Sequence, residues 1–369
     1  MRAKIGDFPE KSQAFELDAL DRPWQFRLYI QEIRSMQLSR RRVTIFLMRA
    51  PILRPDNPLT LIKRRVLPPP RRMTGKERRR INPNRGVIKI SERYTDIFFS
   101  RFIYPLLGHF WNPYCWVLEQ RFSLAETTVS PLGWPNDLAP LRVLLITDIH
   151  GGIFLKPQTL SGIVAALMQM KPDLVLIGGD LVSGHVSEAN PYLNALAQMS
   201  DAPLGAWFCL GNHDYFGGDP VELMKKLAAI GIKTLRNESV SLLHRGEAFV
   251  LGGIDDRIMG KPDWHSLTAQ HRPHLLMAHN PDFFYEAEQR GIPLIVSGHT
   301  HGGQIRFPRG PAIIRQSRYC LDEGVYAYGS TLLVVSRGLG SVMLPFRWGA
   351  DPEAILIEVV PPSPPHRCL

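Results

Sequence analysis

Five short stretches of the sequence carry side chains that commonly bind metal ions. The stretches read TDIHGG, GGDLVSG, GNHD, AHNPD and GHTHGGQ, and each follows a short apolar run. Their candidate ligands are Asp148, His150, Asp180, Asn212, His279, His299 and His301. Oxygen and nitrogen ligands without cysteine suit two hard or borderline divalent ions, with Mn²⁺, Fe²⁺, Zn²⁺, Ni²⁺ and Co²⁺ as the candidates.

Asp180 is the lone acid of its stretch, which makes it the candidate for a bridging ligand. A carboxylate can bridge two ions, whereas a ring nitrogen cannot. Two ions about 3.5 to 4 Å apart would clamp phosphoryl oxygens, lower the pKa of a bridging water and stabilise an in-line displacement. These residues therefore predict the hydrolysis of phosphate esters.

Each of these residues also has a simpler explanation when it is taken alone. An Asp or Asn at a strand end can cap a helix or form a turn, and a single His is more often structural than ligating. Five such stretches at five strand ends are difficult to explain by capping, because open α/β folds place their ligands at that edge.

A regular pattern of elements that begins at Leu141 positions these stretches. Helical patterns cover Pro157–Met170, Glu188–Met199 and Pro220–Ile230, and the later connections are shorter. The pattern predicts an α/β domain with a mixed, layered sheet rather than a purely parallel one. The apolar runs with the length of buried strands are Val143–Ile146, Leu174–Ile177, Trp207–Leu210, Phe249–Leu251, Leu275–Met277, Leu294–Val296, Leu332–Val335 and Ile355–Val359.

With these motifs, the chain resembles the calcineurin-like metallophosphoesterase superfamily, whose pattern is D-x-H, G-D, G-N-H-D/E, a lone His and G-H-x-H. All five blocks occur in this order between Leu141 and about Val360, about 60% of the chain. The resemblance implies a four-layer αββα sandwich of two mixed β-sheets flanked by helices. It also implies a dinuclear metal site at the strand ends.

The resemblance assigns roles to the metal ligands and to His213, and residue chemistry suggests roles for the other candidates. His213 matches a histidine that contacts substrate phosphate and protonates the leaving oxygen after attack by a metal-bridging hydroxide. Asp214 is predicted to orient His213, or else to cap the following turn. Arg306 and Arg337 are predicted to hold substrate phosphate, although surface arginines are common. The first ion would take Asp148, His150, Asp180 and His301, and the second Asp180, Asn212, His279 and His299.

Departures from the superfamily pattern narrow the substrate. Protein Ser/Thr phosphatases extend the second block to G-D-x-V-D-R-G, whereas GDLVSG at 179–184 lacks the second Asp and the Arg. The contexts HNPD and GHTHGGQIRFP resemble the bacterial membrane-associated branch, which includes phosphodiesterases and enzymes similar to UDP-2,3-diacylglucosamine pyrophosphatase of lipid A synthesis. We expect a phosphodiesterase or pyrophosphatase for a lipid-linked or nucleotide-type substrate. The alternative is a nuclease or cyclic-nucleotide phosphodiesterase.

The net charge of +10 is concentrated before this domain. Residues 40–93 hold 17 Lys and Arg against three acids, a net charge of +14. Because this segment is also rich in proline, we predict a basic, partly disordered arm over residues 1–95. An aromatic-rich interfacial segment is predicted over 96–135, the metallophosphoesterase domain over 136–362 and a tail over 363–369. The rings expected to anchor the interfacial segment are Phe98, Phe99, Phe102, Trp111 and Trp116.

Three explanations of the basic arm stay open: contact with an anionic membrane surface, contact with nucleic acid, or a solvated tail. The neighbouring aromatic rings favour the membrane, because bulky rings beside arginine suit a bilayer interface. The sequence has no run of 18 or more apolar residues and no signal-peptide pattern. We therefore expect a cytoplasmic protein that is peripheral on the inner membrane face.

Overall fold

The computed structural model describes residues 121–152, 154–216, 218–306, 312–313 and 315–362, with Tyr114, Leu118 and the backbone of two short early strands. The strands of this part are β1 Leu61–Lys63, β2 Val66–Leu67, β3 Ser123–Val129, β4 Leu141–Ile146, β5 Leu174–Ile177, β6 Ala206–Phe208, β7 Ile232–Thr234, β8 Glu238–His244, β9 Glu247–Gly253, β10 Leu275–Met277, β11 Leu294–Ser297, β12 Gly324–Tyr328, β13 Thr331–Val335 and β14 Glu353–Val359.

The described helices are short, apart from the first and the fourth. The α-helices are α1 Pro157–Met168, α2 Leu193–Ala197, α3 Asn212–Phe216, α4 Pro220–Ala229, α5 Trp264–Thr268 and α6 Phe284–Glu288. The 3₁₀-helices are Val186–Tyr192, Gln198–Asp201, Pro281–Phe283 and His301–Gly303. Among these elements, none is long and apolar enough to cross a bilayer as a helix.

The described strands form two seven-stranded mixed sheets. Sheet A has the order β1-β3-β14-β4-β5-β6-β7, and sheet B has the order β2-β12-β13-β11-β10-β9-β8. In sheet A, β4 to β7 are parallel to one another, while β14 runs antiparallel to β4. In sheet B, β9, β10, β11 and β13 are parallel to one another. β8 runs antiparallel to β9, and β12 runs antiparallel to β13 but parallel to β2. The predicted mixed sheets are confirmed, and each of the eight predicted strands overlaps a strand of the structure.

The alternation of side chains along the strands builds the layers. In β4, Leu145 faces the core between the two sheets, which it shares with Leu275 and Val296 of sheet B. Ile146, one residue further on, faces the opposite side of sheet A and packs with Ile163 of α1. On the outer side of sheet B, residues of β10, β11, α5 and α6 form a third core. Helices therefore cover both sheets, and the predicted αββα order is confirmed.

Part of the segment before the predicted domain boundary belongs to the same sheets. β3 lies before residue 136 and pairs along its whole length with β14. Within the segment predicted to be interfacial, Tyr114, Leu118 and Phe122 are buried in the core beneath α1. β1 and β2 fall in the predicted basic arm and pair with β3 and β12. The five anchoring rings and the 363–369 tail lie outside the described residues, so their roles stay predictions.

Candidate metal centre

The carboxyl ends of five parallel strands bring the predicted ligands together. β4, β5 and β6 of sheet A and β10 and β11 of sheet B all lead into these stretches, and all seven predicted ligands are buried. Ligand atoms lie within 4.8 Å of one another in three groups of side chains. The groups are Asp148, His150 and His301; His150, Asp180 and His213; and Asp180, His279 and His299. The first and third groups combine residues from both sheets.

Asp180 lies between the groups. Its Oδ2 is 3.6 Å from His150 Nε2 and 3.1 Å from His279 Nε2. On one side, His301 Nε2 is 3.2 Å from His150 Nε2 and 3.5 Å from Asp148 Oδ1. A single carboxylate oxygen thus faces two sets of nitrogen and oxygen atoms, which is the arrangement of a bridging ligand.

A hydrogen bond on the outer side of the His279 ring indicates that its other nitrogen can bind a cation. Its Nδ1 lies 2.7 Å from the Gly178 carbonyl oxygen. Because a carbonyl only accepts, Nδ1 carries a proton, and the lone pair of Nε2 faces the Asp180 carboxylate. Burial opposes protonation of His279, but Asp180 outweighs it and raises its pKa well above the usual value. A cation next to Nε2 would therefore be stabilised by the Asp180 carboxylate, and a metal ion can take this place as a proton does.

Asn212 and Asp148 give further support for a cation at the centre. Asn212 Oδ1 is buried and accepts no hydrogen bond from the described residues. Burial raises the pKa of Asp148 to about 6, an effect that the positive charge of His279 only partly offsets and the Asp180 carboxylate increases. Buried carboxylates that raise each other's pKa are stabilised when a cation binds between them. The donor set therefore fits two divalent ions.

The backbone at the centre adopts a conformation that L-residues rarely take. The φ angles of five predicted ligands are positive, from 44° to 72°. Such a conformation costs on the order of 1–3 kcal/mol per residue and persists where surrounding structure enforces it, often at functional sites. Part of that enforcement is close packing, because a side-chain carbon at Gly211 or Gly298 would overlap a carboxylate oxygen. The five residues are Asp148, His150, Asp180, His299 and His301.

His213 stands beside the ligands on α3. Its backbone amide donates to Asp180 Oδ1 at 2.7 Å, and its Nδ1 donates to the Ser183 carbonyl at 2.8 Å. The ring packs edge-on against the rings of His150 and Phe216, with centroid distances of 4.7 and 4.9 Å. The ring is thus fixed in orientation by the Ser183 carbonyl and by the two neighbouring rings.

Asp214 holds the loop that carries Asp180. Its oxygens accept the backbone amides of Asp180 and Leu181, each at 2.9 Å, and of Gly211 at 2.8 Å. Burial and the Asp180 carboxylate raise the pKa of Asp214 to about 7. These contacts favour a structural role at the centre, and the predicted catalytic role of Asp214 stays a prediction.

The predicted phosphate-binding arginines pair with carboxylates of the protein. Arg306 contacts Glu323, and Arg337 Nη2 lies 2.7 Å from Glu353 Oε2. The guanidinium that reaches the centre is Arg347, which is buried with its Nη2 2.9 Å from His301 Nδ1. Since a guanidinium only donates, this contact holds the His301 ring in a fixed orientation at the centre. Burial, with the charge of Arg347, lowers the pKa of His301 well below its usual value.

The sequence reasoning missed residues that support the centre from neighbouring loops. Glu188 Oε2 accepts the amides of Ser183 and Gly184, each at 2.9 Å, and so fixes the carbonyl that binds His213. Asp256 follows β9 at the same edge and is buried, and its Oδ1 has no partner among the described residues. The segment GGIDD after the apolar run at Phe249 was the signal for Asp256, because it repeats the pattern of a strand followed by acids.

The sandwich of two mixed sheets and the two sets of hard-ion ligands at their shared edge define a metal-dependent phosphoesterase. The family model for calcineurin-like phosphoesterases matches residues 141–303. The chain is 30% identical over 238 residues to the uncharacterized metallophosphoesterase YkuE of Bacillus subtilis, covering 62% of this chain and 82% of that protein. It is 32% identical over 234 residues to the phosphodiesterase YaeI of Escherichia coli, covering 61% and 84%.

These similarities identify the chain as a member of the calcineurin-like phosphoesterase family. Members of this family use two divalent metal ions, and the predicted enzyme class, a metal-dependent phosphohydrolase, is confirmed.

Proposed function

We propose that the chain is a two-metal phosphodiesterase or pyrophosphatase. The observation that carries the proposal is the position of Asp180 Oδ2 between His150 Nε2 and His279 Nε2. When bound, the two ions would polarise phosphoryl oxygens and lower the pKa of the attacking water. The first ion would be held by Asp148, His150, Asp180 and His301, and the second by Asp180, Asn212, His279 and His299.

The protein's own contribution to the displacement would be proton transfer and orientation. His213 Nδ1 is bonded to the Ser183 carbonyl, so a proton for the leaving oxygen would come from Nε2. Glu188 holds the Ser183 loop through backbone amides, and Asp214 holds the Asp180 loop in the same way. A fixed donor at the leaving group contributes about 10² to 10⁴-fold to a rate.

The substrate we propose is a lipid-linked or nucleotide-type diester or pyrophosphate, such as UDP-2,3-diacylglucosamine. Two observations support a diester over a phosphoprotein. The loop after β5 lacks the Asp and Arg of the protein phosphatase pattern. A relative that shares most of its length with this chain is named a phosphodiesterase. We further propose that the basic arm brings the enzyme to anionic headgroups at the inner membrane face.

The test is a hydrolysis panel with the full-length chain, stripped of metal and reloaded in turn with each of the five candidate ions. The substrates are bis-p-nitrophenyl phosphate, p-nitrophenyl phosphate, UDP-2,3-diacylglucosamine and a cyclic dinucleotide. We expect metal-dependent cleavage of the diester and the pyrophosphate in preference to the monoester. Turnover that persists in chelator, or a preference for the monoester, would contradict the proposal. A preference for the cyclic dinucleotide would instead support the cyclic-nucleotide alternative.

A further inference from the structure

A loop with exposed apolar side chains borders the metal centre. Residues 341–349, termed here the rim loop, expose Met343, Leu344, Phe346 and Trp348 by 38, 46, 38 and 46%. Ile313 is 55% exposed and belongs to the same surface, because its amide donates to Ile305, and Ile305 in turn forms a bridge with Trp348. Apolar residues that are exposed together beside a functional site commonly mark a binding surface.

Both ends of the rim loop are fixed at the metal centre. At its start, the Gly340 amide donates to the carbonyl of Asp148, a predicted ligand. At its end, Arg347 is buried and contacts both His301 and the Gly340 carbonyl. The apolar tip between these two anchors therefore lies next to the place where a substrate phosphate would bind.

The polar groups of the rim loop are largely satisfied within the protein. The amide of Val342 donates to Gln304 Oε1 at 2.9 Å, and Gln304 Nε2 donates back to the Val342 carbonyl at 2.8 Å. The amides of Leu344, Phe346 and Trp348 donate to carbonyls at 2.6, 2.7 and 2.9 Å. Removing a backbone amide from water is costly only when it has no partner. The tip can consequently enter a hydrocarbon phase at a low polar cost.

We propose that the rim loop binds the acyl chains of a lipid phosphodiester in a membrane surface while its phosphate lies at the metal centre. The proposal rests on the proposed function and narrows its substrate to amphiphilic phosphoesters. The choice of a lipid follows from the position of the tip beside the metal centre. One molecule with an apolar part and a phosphate would contact both at once. Apolar side chains enter the acyl boundary, and the anchored base keeps the site at headgroup level.

The first test measures binding to neutral phosphatidylcholine vesicles by flotation, in salt that screens charges of the basic arm. The variant is the full chain with Leu344→Ser and Phe346→Ser. The control has Leu132→Ser and Leu243→Ser, which are 61 and 65% exposed. These control positions lie in the turn before β4 and near the end of β8, at the opposite edge of the sheets. We expect the rim variant to lose roughly tenfold or more in partitioning, since two apolar side chains leave the lipid.

The second test compares two diesters that share a leaving group, hexadecyl p-nitrophenyl phosphate and methyl p-nitrophenyl phosphate. The rim variant should raise KM for the hexadecyl diester roughly tenfold and leave kcat/KM for the methyl diester unchanged. The control variant should match wild type on both. Equal loss on both diesters would mean that the loop only shapes the site, and no loss on either would exclude contact with lipid.

Two other outcomes also have a definite meaning. If the wild-type chain is a dimer by analytical ultracentrifugation and the rim variant a monomer, the loop is covered by a second copy and the proposal fails. If wild type cleaves neither diester with any metal, the proposed function fails. Flotation of the metal-free chain then still decides whether the rim loop binds lipid.

Discussion

Asp180 contacts both ligand groups through one oxygen, and its replacement tests the metal assignment. Loss of a residue that only hydrogen-bonds to a metal ligand typically lowers metal affinity by about 10- to 100-fold. Because Asp180 would bind both ions directly, Asp180→Asn should lower the affinity for each ion by more than this. The neutral amide is a weaker bridge, and activity should fall with metal content. Bound metal per chain and diesterase turnover measure this, with circular dichroism to show that the fold is kept.

Asp137→Asn is the matched control, because Asp137 is an exposed acid in the turn before β4. It should retain two ions and full turnover. A folded Asp180→Asn chain that bound two ions and turned over like wild type would contradict the bridging role.

His213 raises a separate question, because its ring lies within ligand distance of His150 and Asp180. His213→Ala should lower kcat by about 10² to 10⁴-fold if Nε2 protonates the leaving oxygen. Metal content should stay at the wild-type value. Measurement of bound metal beside kcat separates the two roles, since loss of one ion would make His213 a ligand and remove the proposed proton donor.

At the scale of elements, Asp255 links three segments near the centre. It accepts hydrogen bonds from Tyr215 of α3, from Arg236 Nε after β7 at 3.0 Å, and from the Lys261 amide at 2.9 Å. Burial opposes its charge, but these donors outweigh burial and lower its pKa. Asp255 therefore joins the edge of sheet A to the loop after β9 of sheet B.

Asp255→Asn should destabilise the protein by about 2–3 kcal/mol at pH 7, because donors would face an amide instead of a carboxylate. The pKa of Asp255 is lower in the folded state than the unfolded value of about 3.9. Its stabilisation is thus present above about pH 4 and is lost as the pH falls through the folded pKa. Urea unfolding of both chains should give a constant difference at pH 5–7 that shrinks below pH 4. A difference that grew on acidification would exclude this role.

The elements that sequence could predict were those with continuous apolar runs. β5 and β10 are buried on both faces, so LVLI and LLM were recognisable as strands. β8 is an edge strand with a mostly exposed side, and its sequence ESVSLLH has no such run. β3 was missed because SLAETTV follows an aromatic segment and pairs with β14, more than 200 residues later.

The same distinction applies to the candidate centre. The seven predicted ligands stand in local motifs at strand ends, which a single sequence displays. The contact of Arg347 with His301, the clamp formed by Asp214 and the support from Glu188 depend on tertiary packing. The left-handed φ angles of five ligands were equally inaccessible, because no local preference of Asp or His requires them.

At the scale of the whole molecule, the ions would connect the two sheets. Asp148, His150 and Asp180 come from sheet A, while His279, His299 and His301 come from sheet B. A ligand that binds only the folded chain adds about 2.7 kcal/mol at 100 times its Kd. For a domain of this size, we expect a rise in Tm of about 5–10 °C on metal loading.

Differential scanning calorimetry of chelated and reloaded protein measures this rise. His279→Ala serves as the comparison, because it removes a ligand from sheet B and should reduce the metal-dependent shift. An equal Tm for the metal-free chain and the chain with two bound ions would show that the centre does not hold the sheets together.

The position of β14 has a consequence for the timing of synthesis. β14 is the last of the described strands in chain order, yet it lies between β3 and β4 in sheet A. At about 5–20 residues per second, the ribosome completes β14 roughly 10–40 s after β4. Throughout that interval, β3 and β4 lack the strand that joins them, and their unpaired edges are open to other nascent chains. A transcript that stops before Glu353 would therefore yield a chain that has every predicted ligand but an open sheet A. We expect such a chain to be bound by chaperones and degraded rather than to act as a shorter enzyme.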